Sequence, residues 1–202
     1  YGYTITIVVN ILFFLLTDSK TSLLAVLFAI VITFILTHVK TENIKKICGA
    51  CCILLTVGSI FFSVLIAGMA HYVYEYDWGI SRGNVQVICK KIDTLLTGRI
   101  RILTETERWE GTISTWKLFS SKMNHYYFDL GWVRLFYWYG IIPGIIIVLL
   151  LVIWQIEMFQ RKKYLVLSII MSFAVYSIFE AHIISVYIGR NYLLFLFGTW
   201  WY

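Results

Sequence analysis

The chain has 202 residues, of which 60% are hydrophobic, 18% aromatic and only 14% charged. Water-soluble domains are about 45–50% apolar and about 25% charged, so this composition excludes an ordinary soluble fold. The net charge is +6, but no continuous basic helix carries it, and we expect no nucleic-acid partner. The class that remains is a polytopic membrane protein, provided that the apolar residues form runs of about 20.

The apolar residues do form long runs. They occupy approximately 4–17, 22–39, 47–69, 134–158 and 164–188, with a shorter run at 191–202. Strands of a membrane barrel alternate polar and apolar residues, whereas these runs do not alternate. Because backbone in lipid must satisfy its own hydrogen bonds, the runs predict helices. We expect an all-α fold, a polytopic transmembrane helix bundle with five spans and a partial sixth.

The first apolar run begins almost at Tyr1, and no basic segment or small-residue cleavage site precedes it. We therefore expect a fragment of a longer membrane protein. Its predicted parts are three transmembrane helices in 1–69, a large external loop in 70–132 and two to three transmembrane helices in 133–202.

Two short loops are rich in basic residues and predict the orientation. One holds Lys40, Lys45 and Lys46, and the other holds Arg161, Lys162 and Lys163. Short loops rich in Lys and Arg remain cytoplasmic. With both loops inside, the hairpin ending at Lys20, the long loop 70–132 and the link that contains Arg190 all face outwards. The predicted location is the bacterial cytoplasmic membrane, with multiple passes.

The long external loop contains two amphipathic patterns. After Asn84, a predicted N-cap, apolar residues recur at helical spacing, and Gly98 then predicts a stop (Val85, Ile88, Ile92, Leu95, Leu96). A second pattern starts at Thr104 and has apolar positions at Trp109, Ile113 and Trp116. We expect this extracytoplasmic loop to be partly helical, with both helices lying against the membrane or the bundle.

Soluble-enzyme motifs are absent from the sequence. It has no G-x-S-x-G, P-loop or H-E-x-x-H pattern, and no D-x-D pair. Cys48 and Cys51 form a C-x-x-C spacing, but no histidine lies near them in sequence to complete a zinc site. We therefore interpret these cysteines as packing residues and expect no disulfide, no metal and no other cofactor.

Two ionisable residues fall within the fifth apolar run. Glu180 and His182 lie in its outer third, where an ionisable group is costly and suggests a function. Arg134 opens the fourth run, where we expect it to extend its charged group to the interface. Pro143, inside the same run, predicts a kinked helix.

Four stretches of this sequence carry a resemblance to a known family. They are the hairpin Leu16–Leu24, the L-[ST]-G-R-like segment Ile92–Arg99, the segment Asp129–Val133 followed by Gly140–Ile142, and the glutamate-bearing Ser177–Glu180. In this order they resemble the C-terminal half of the bacterial O-antigen and capsular polysaccharide polymerases of the Wzy type. That superfamily also contains the O-antigen ligases. The sequence departs from the family pattern at Lys20, where Arg is usual, and at Leu130, where Asn is usual.

The resemblance implies a donor, a reaction and roles for several residues. Such polymerases transfer a glycan from undecaprenyl diphosphate to a second lipid-linked repeat unit, at the outer face of the membrane. Arg99 is then the first candidate for binding the diphosphate, with Lys20 and Arg190 as second candidates. Glu180 is the candidate base for the acceptor hydroxyl, with His125 as its rival. Asp129 and Trp132 are candidates for substrate binding, since an indole can stack on a sugar.

The resemblance also implies membrane lipid as a partner, with a chain-length regulator and a flippase as further candidates. Three alternatives remain. An O-antigen-ligase-type transferase shares the fold and donor but uses another acceptor. A lipid-linked oligosaccharide flippase, a transporter, predicts polar residues along several spans and internal repeats. A noncatalytic membrane scaffold leaves Arg99 and Glu180 without a role.

Overall fold

The computed structural model of the chain describes residues 20–77, 83–96, 98–104, 111–120 and 129–180. Within these ranges every regular element is helical, as the sequence predicts. The elements are α1 (Lys20–His38), α2 (Glu42–Asp77), α3 (Asn84–Leu95), α4 (Arg99–Ile102), a 3₁₀ turn (Ile113–Thr115), α5 (Gly131–Tyr139), α6 (Ile141–Gln160) and α7 (Tyr164–Tyr176). The runs predicted at 4–17 and 191–202 lie outside the described residues.

Helix α2 is the centre of the fold. It is 36 residues long and contacts every other element that the structure describes. Helices α1 and α7 pack along each other, with a hydrogen bond between the Thr33 and Ser168 hydroxyls. The buried face of α2 includes Thr56, Ser59 and Ser63. Small side chains of this kind allow neighbouring helices to approach closely.

Two of the described helices are long and apolar enough to cross a membrane. They are Glu42–Ala70 within α2, and Ile141–Gln160, which is α6. Leu27–His38 and Tyr164–Tyr176 are shorter apolar helices. Both long helices expose large apolar side chains, among them Leu54, Phe61 and Ile153. An apolar outer surface of this extent is typical of a surface that does not face water.

The two basic loops, 40–46 and 160–163, lie at the same end of the bundle. The Lys45 ammonium is 5.9 Å from the centre of the Tyr164 ring, at the start of α7. We name this end the basic end. The predicted alternation of spans requires that both basic loops lie at one end of the bundle. Helices α3, α4 and α5 and the 3₁₀ turn lie at the opposite end, which we name the cap end.

The predicted kinked helix over 134–158 is wrong, because the chain breaks at Gly140 into α5 and α6. Gly140 has φ 101°, in the region that favours glycine. The Ile141 and Ile142 amides donate to the carbonyls of Lys117 and Leu118, so a neighbouring segment satisfies the first turn of α6. Pro143 lies in that first turn, where the missing N–H removes no helix hydrogen bond.

The second amphipathic helix, predicted from Thr104, is also absent from the described part of that segment. Residues 105–110 lie outside the described ranges, and residues 113–115 form only a 3₁₀ turn. The Thr115 hydroxyl donates to the Thr112 carbonyl, and the Trp116 indole donates to the Gly111 carbonyl. These side chains occupy carbonyls that a continuing helix would use, which is the usual competition between threonine and helical backbone.

Gly140 gives a direct test of this break. An added Cβ would lie 2.7 Å from the Leu118 carbonyl oxygen. A non-glycine residue held at such a φ costs about 1–3 kcal/mol even without a clash. We expect Gly140→Ala to lower the thermal unfolding temperature of the detergent-solubilised protein by several degrees. Gly58→Ala is the matched control, because an added Cβ there meets no atom within 4 Å. Equal unfolding temperatures for the two variants would contradict this account.

Candidate functional site

An ion pair joins two of the residues that the sequence singles out. The Arg99 Nη2 donates to Glu180 Oε1 at 2.8 Å, across 81 residues of sequence. The Arg99 side chain is 17% exposed and the Glu180 side chain 26% exposed. The pair is therefore shielded from bulk water and still open on one side, as a site for a substrate must be.

Asp93 fixes the position of Arg99. Its side-chain Oδ1 accepts hydrogen bonds from the Ile100 amide at 2.7 Å and the Arg101 amide at 3.2 Å. Its backbone carbonyl accepts the Gly98 amide at 2.8 Å. Gly98 adopts the left-handed conformation, with φ 77°. Asp93 thus satisfies orphan amides at the start of α4 and holds the turn that carries Arg99.

Trp132 fixes the position of Glu180. Its backbone amide donates to the Ser177 carbonyl at 3.3 Å, and its indole donates to the Ala174 carbonyl at 2.8 Å. The Ile178 amide donates to the Val175 carbonyl instead of the Ala174 carbonyl, so the last turn tightens and the helix ends. Glu180 follows in the turn beyond α7, with its amide on the Tyr176 carbonyl.

Two expectations change in consequence. Glu180 does not lie within a continuous span, because α7 ends at Tyr176. Trp132 is fully buried, and both of its N–H groups hold the end of α7. The expected stacking of Trp132 on a sugar ring does not fit this burial, and we assign it a structural role in positioning Glu180.

Arg99 retains an unused donor. Its Nη1 is buried and has no hydrogen-bond acceptor among the residues that the structure describes. A buried donor without a partner costs free energy, more so on a charged group. The guanidinium has a planar arrangement of donors that suits phosphate and carboxylate oxygens. One nitrogen of the guanidinium thus holds Glu180, while the other is a buried donor without an acceptor among the described residues.

Two polar residues important to this end of the bundle were missed by the sequence analysis. Asp93 lies within the segment Ile92–Arg99, but a lone acid in a helix carries no pattern that predicts its role. Arg134 was expected to reach the interface, but it is fully buried, with its guanidinium 3.9 Å from the Trp138 ring centre. The spacing of four residues between Arg134 and Trp138 was the available indication of this contact.

The other predicted site residues stand as follows. Asp129 is partly exposed and lies two residues before α5. Lys20 is the first residue of α1. The antiparallel packing of α1 and α7 places that residue at the cap end, since Lys20 lies about 20 Å along α1 from Thr33 at 1.5 Å per residue. His125, Arg190 and His182 lie outside the described residues.

The described residues contain no group of three or more metal-ligating side chains. The four cysteines are free thiols, and burial raises the pKa of the Cys89 thiol in α3, which disfavours the thiolate that a nucleophile needs. No known protein family, curated protein or solved structure matches the chain.

The role of Asp93 can be tested without an activity assay. We expect Asp93→Ala to speed hydrogen exchange of the Ile100 and Arg101 amides, since both lose their acceptor. The loss of such a hydrogen bond costs about 1–3 kcal/mol. Asp93→Asn keeps an acceptor oxygen and should retain most of the protection. Thr94→Ala is the control, because Thr94 is exposed and donates to the Lys90 carbonyl within α3. Unchanged exchange rates of the Ile100 and Arg101 amides in Asp93→Ala would disprove these hydrogen bonds to Asp93.

Proposed function

We propose that the chain is part of a polysaccharide polymerase of the bacterial cytoplasmic membrane, which transfers lipid-diphosphate-linked glycan repeat units at the outer face. The observation that carries this proposal is the contact between Arg99 and Glu180. The two residues come from separate segments that resemble the polymerase family. A chance resemblance offers no reason for their side chains to meet, so the contact supports the family assignment.

The membrane placement follows from helix length and charge. Ile141–Gln160 has 20 residues, about 30 Å at 1.5 Å per residue, which matches the hydrocarbon thickness of a bilayer. We propose that α1 and α7, with the apolar runs at 4–17 and 191–202, complete a polytopic bundle. The basic end faces the cytoplasm under the positive-inside rule. The ion pair then lies on the outer side, where lipid-linked repeat units are polymerised.

Arg99 is proposed to bind the leaving group. In the transfer, the bond between the anomeric carbon of the donor glycan and the diphosphate oxygen breaks, and its electron pair goes to the diphosphate. Negative charge therefore increases on the group that faces Arg99. The buried Nη1, which has no acceptor among the described residues, is the donor proposed for that oxygen. Such preorganised charge stabilisation is commonly the largest catalytic contribution.

Glu180 is proposed to act on the acceptor. The hydroxyl oxygen of the incoming unit forms the new bond to the anomeric carbon, and its proton passes to the Glu180 carboxylate. Because Arg99 contacts Glu180 directly, one guanidinium orients the base and binds the leaving group. This arrangement would place the acceptor hydroxyl beside the Glu180 carboxylate and the departing oxygen beside the Arg99 guanidinium that contacts it.

The ligase alternative differs only in its acceptor, and an assay with both acceptors separates the two. The transporter alternative predicts polar groups that line a path through the bundle. The buried hydroxyls of Thr56, Ser59 and Ser63 donate to carbonyls of their own helix. Bonding of this type is typical of helix packing, so these residues do not favour transport.

Substitutions at the ion pair test the proposed reaction. We expect Glu180→Gln to reduce polymer formation by about 10²–10⁴-fold, the usual loss for a missing acid–base group. Arg99→Ala should reduce it by about 10²–10³-fold. Arg99→Lys should recover only part of that loss, because an ammonium lacks the planar donor pair. Polymer length and yield would be measured on purified protein with a defined lipid-linked substrate.

The controls distinguish a catalytic role of the Arg99–Glu180 ion pair from a purely structural one. Arg101→Ala and Lys117→Ala remove exposed cations of the cap end and should leave the yield nearly unchanged. The charge swap Arg99→Glu with Glu180→Arg should restore thermal stability if the pair only joins α4 to the end of α7. It should restore no activity if the pair performs the transfer. Activity in the swapped double variant would refute the proposed roles.

The membrane orientation has its own test. Single cysteines at Lys45 and Lys117 would be introduced after the four native cysteines are replaced. We expect an impermeant thiol reagent added to intact cells to label the cysteine at 117 and not the one at 45, because the basic end faces the cytoplasm. Labelling of both positions, or of position 45 alone, would contradict the orientation.

A further inference from the structure

Helix α3 places its side chains on three distinct sides. The side packed on the bundle carries the buried residues Gln86, Cys89, Asp93 and Leu96. A second side carries an apolar stripe, defined here as Val85, Ile88, Ile92 and Leu95. At 3.6 residues per turn, this stripe is centred about 100° around the helix from the buried side. The third side carries Lys90, Lys91 and Thr94, which are exposed, and one exposed apolar residue, Val87.

This arrangement inverts the usual order of a surface helix. The amide of Gln86 and the carboxylate of Asp93 face the bundle, while Leu95 is 81% exposed and Ile88 is 55% exposed. An amphipathic helix of a soluble protein turns its apolar stripe toward the core. Here Ile92, at the edge of the stripe, packs against the bundle beside Cys89 and Leu96. The other three stripe residues, Val85, Ile88 and Leu95, face outwards.

The surroundings of α3 indicate what covers the stripe. The 3₁₀ turn touches α2 close to Ala70, the last residue of its membrane-length stretch, since Ile113 packs beside Gly68. From there the chain runs to the first turn of α6, past Leu118 and Phe119, which are each 63% exposed. Exposed apolar groups therefore lie at the cap end beside both membrane-length helices, as expected where the surface of a bilayer crosses the protein.

We infer that the apolar stripe of α3 lies in the interfacial layer of the outer leaflet, against a bilayer that contains anionic lipid. A helix in that position needs one side for protein, one for acyl chains and one for water, and α3 has these three sides. Lys91 borders the stripe, where its aliphatic stem can cover apolar surface and its ammonium can meet a lipid phosphate.

The placement has a consequence for the site, which rests on the proposed function. Leu95 ends α3, and Arg99 begins α4 four residues later, across the turn that Asp93 holds. A stripe seated in the leaflet would keep the Arg99 guanidinium at headgroup depth. The diphosphate of a membrane-anchored donor lies at the same depth, so α3 would set the depth of the site relative to the bilayer.

Spin labelling tests the inference on the whole chain in vesicles of phosphatidylcholine and phosphatidylglycerol. Nitroxides would be attached at Ile88 and Leu95 on the stripe, at Thr94 on the polar side, and at Ile146 on the exposed surface of α6, each in a cysteine-free background. Accessibility to oxygen relative to a water-soluble nickel complex would be measured. We expect a several-fold higher ratio at Ile88 and Leu95 than at Thr94, close to the ratio at Ile146.

The outcomes separate this inference from the proposed function. A lipid-like ratio at Ile146, combined with a water-like ratio at Leu95, would overturn the inference and leave the membrane bundle intact. A water-like ratio at Ile146 would overturn both. Low accessibility of Leu95 to both reagents, with spin–spin broadening at higher protein density, would assign the stripe to a second copy of the chain and also overturn the inference. Lys91→Glu should lower the Leu95 ratio in vesicles with phosphatidylglycerol and leave it unchanged in pure phosphatidylcholine.

Discussion

Trp132 donates both of its N–H groups to the last turn of α7, and the geometry of the candidate site depends on those two hydrogen bonds. The last carbonyls of a helix have no partner within it, and a buried carbonyl must find one elsewhere. By occupying the carbonyls of Ala174 and Ser177, Trp132 stabilises the end of α7. Without that end, Glu180 would continue along a helix instead of turning to meet Arg99.

The same constraint operates at the other helix ends of the cap. The carbonyls of Lys117 and Leu118 accept the first amides of α6, and the Asp93 carboxylate accepts the first amides of α4. Each terminus is thus satisfied by a segment distant from it or by a side chain before it. These hydrogen bonds therefore hold the short elements at this end of the bundle in place. A site built on such fixed termini holds its charged groups in defined positions, which preorganised catalysis requires.

The parts of this structure that were predictable from sequence are those that depend on local pattern. The apolar run at 47–69 lies within α2, and the run at 22–39 matches α1 closely, because both depend on hydropathy alone. The α3 helix ends before Gly98 as predicted, but its N-cap is Gly83, so Asn84, the predicted N-cap, is instead its first helical residue. Arg99 was singled out by the order of short motifs, and Glu180 by those motifs and by its position in an apolar run. Each motif is weak by itself, and their contact was not part of the prediction.

The errors have a common physical cause. The break at Gly140 depends on carbonyls that lie more than 20 residues earlier in the chain, and the end of α7 depends on a tryptophan 42 residues before Ala174. Hydropathy cannot report such partners, since an apolar run looks the same whether or not another segment interrupts its hydrogen bonds. The buried side of α3 was hidden for a similar reason. Its apolar pattern mixed two sides, because Leu96 is buried against the bundle while Val85, Ile88 and Leu95 face away from it.

The two arginines of this end show how burial divides the roles of chemically identical groups. Arg134 is fully buried and held over the Trp138 ring, so its charge is committed to internal contacts. Arg99 is partly exposed, and its Nη1 lacks an acceptor among the described residues. Desolvation is a large cost of binding a charged group in a shielded site, so the partly exposed Arg99 is better placed to meet an anion than the fully buried Arg134.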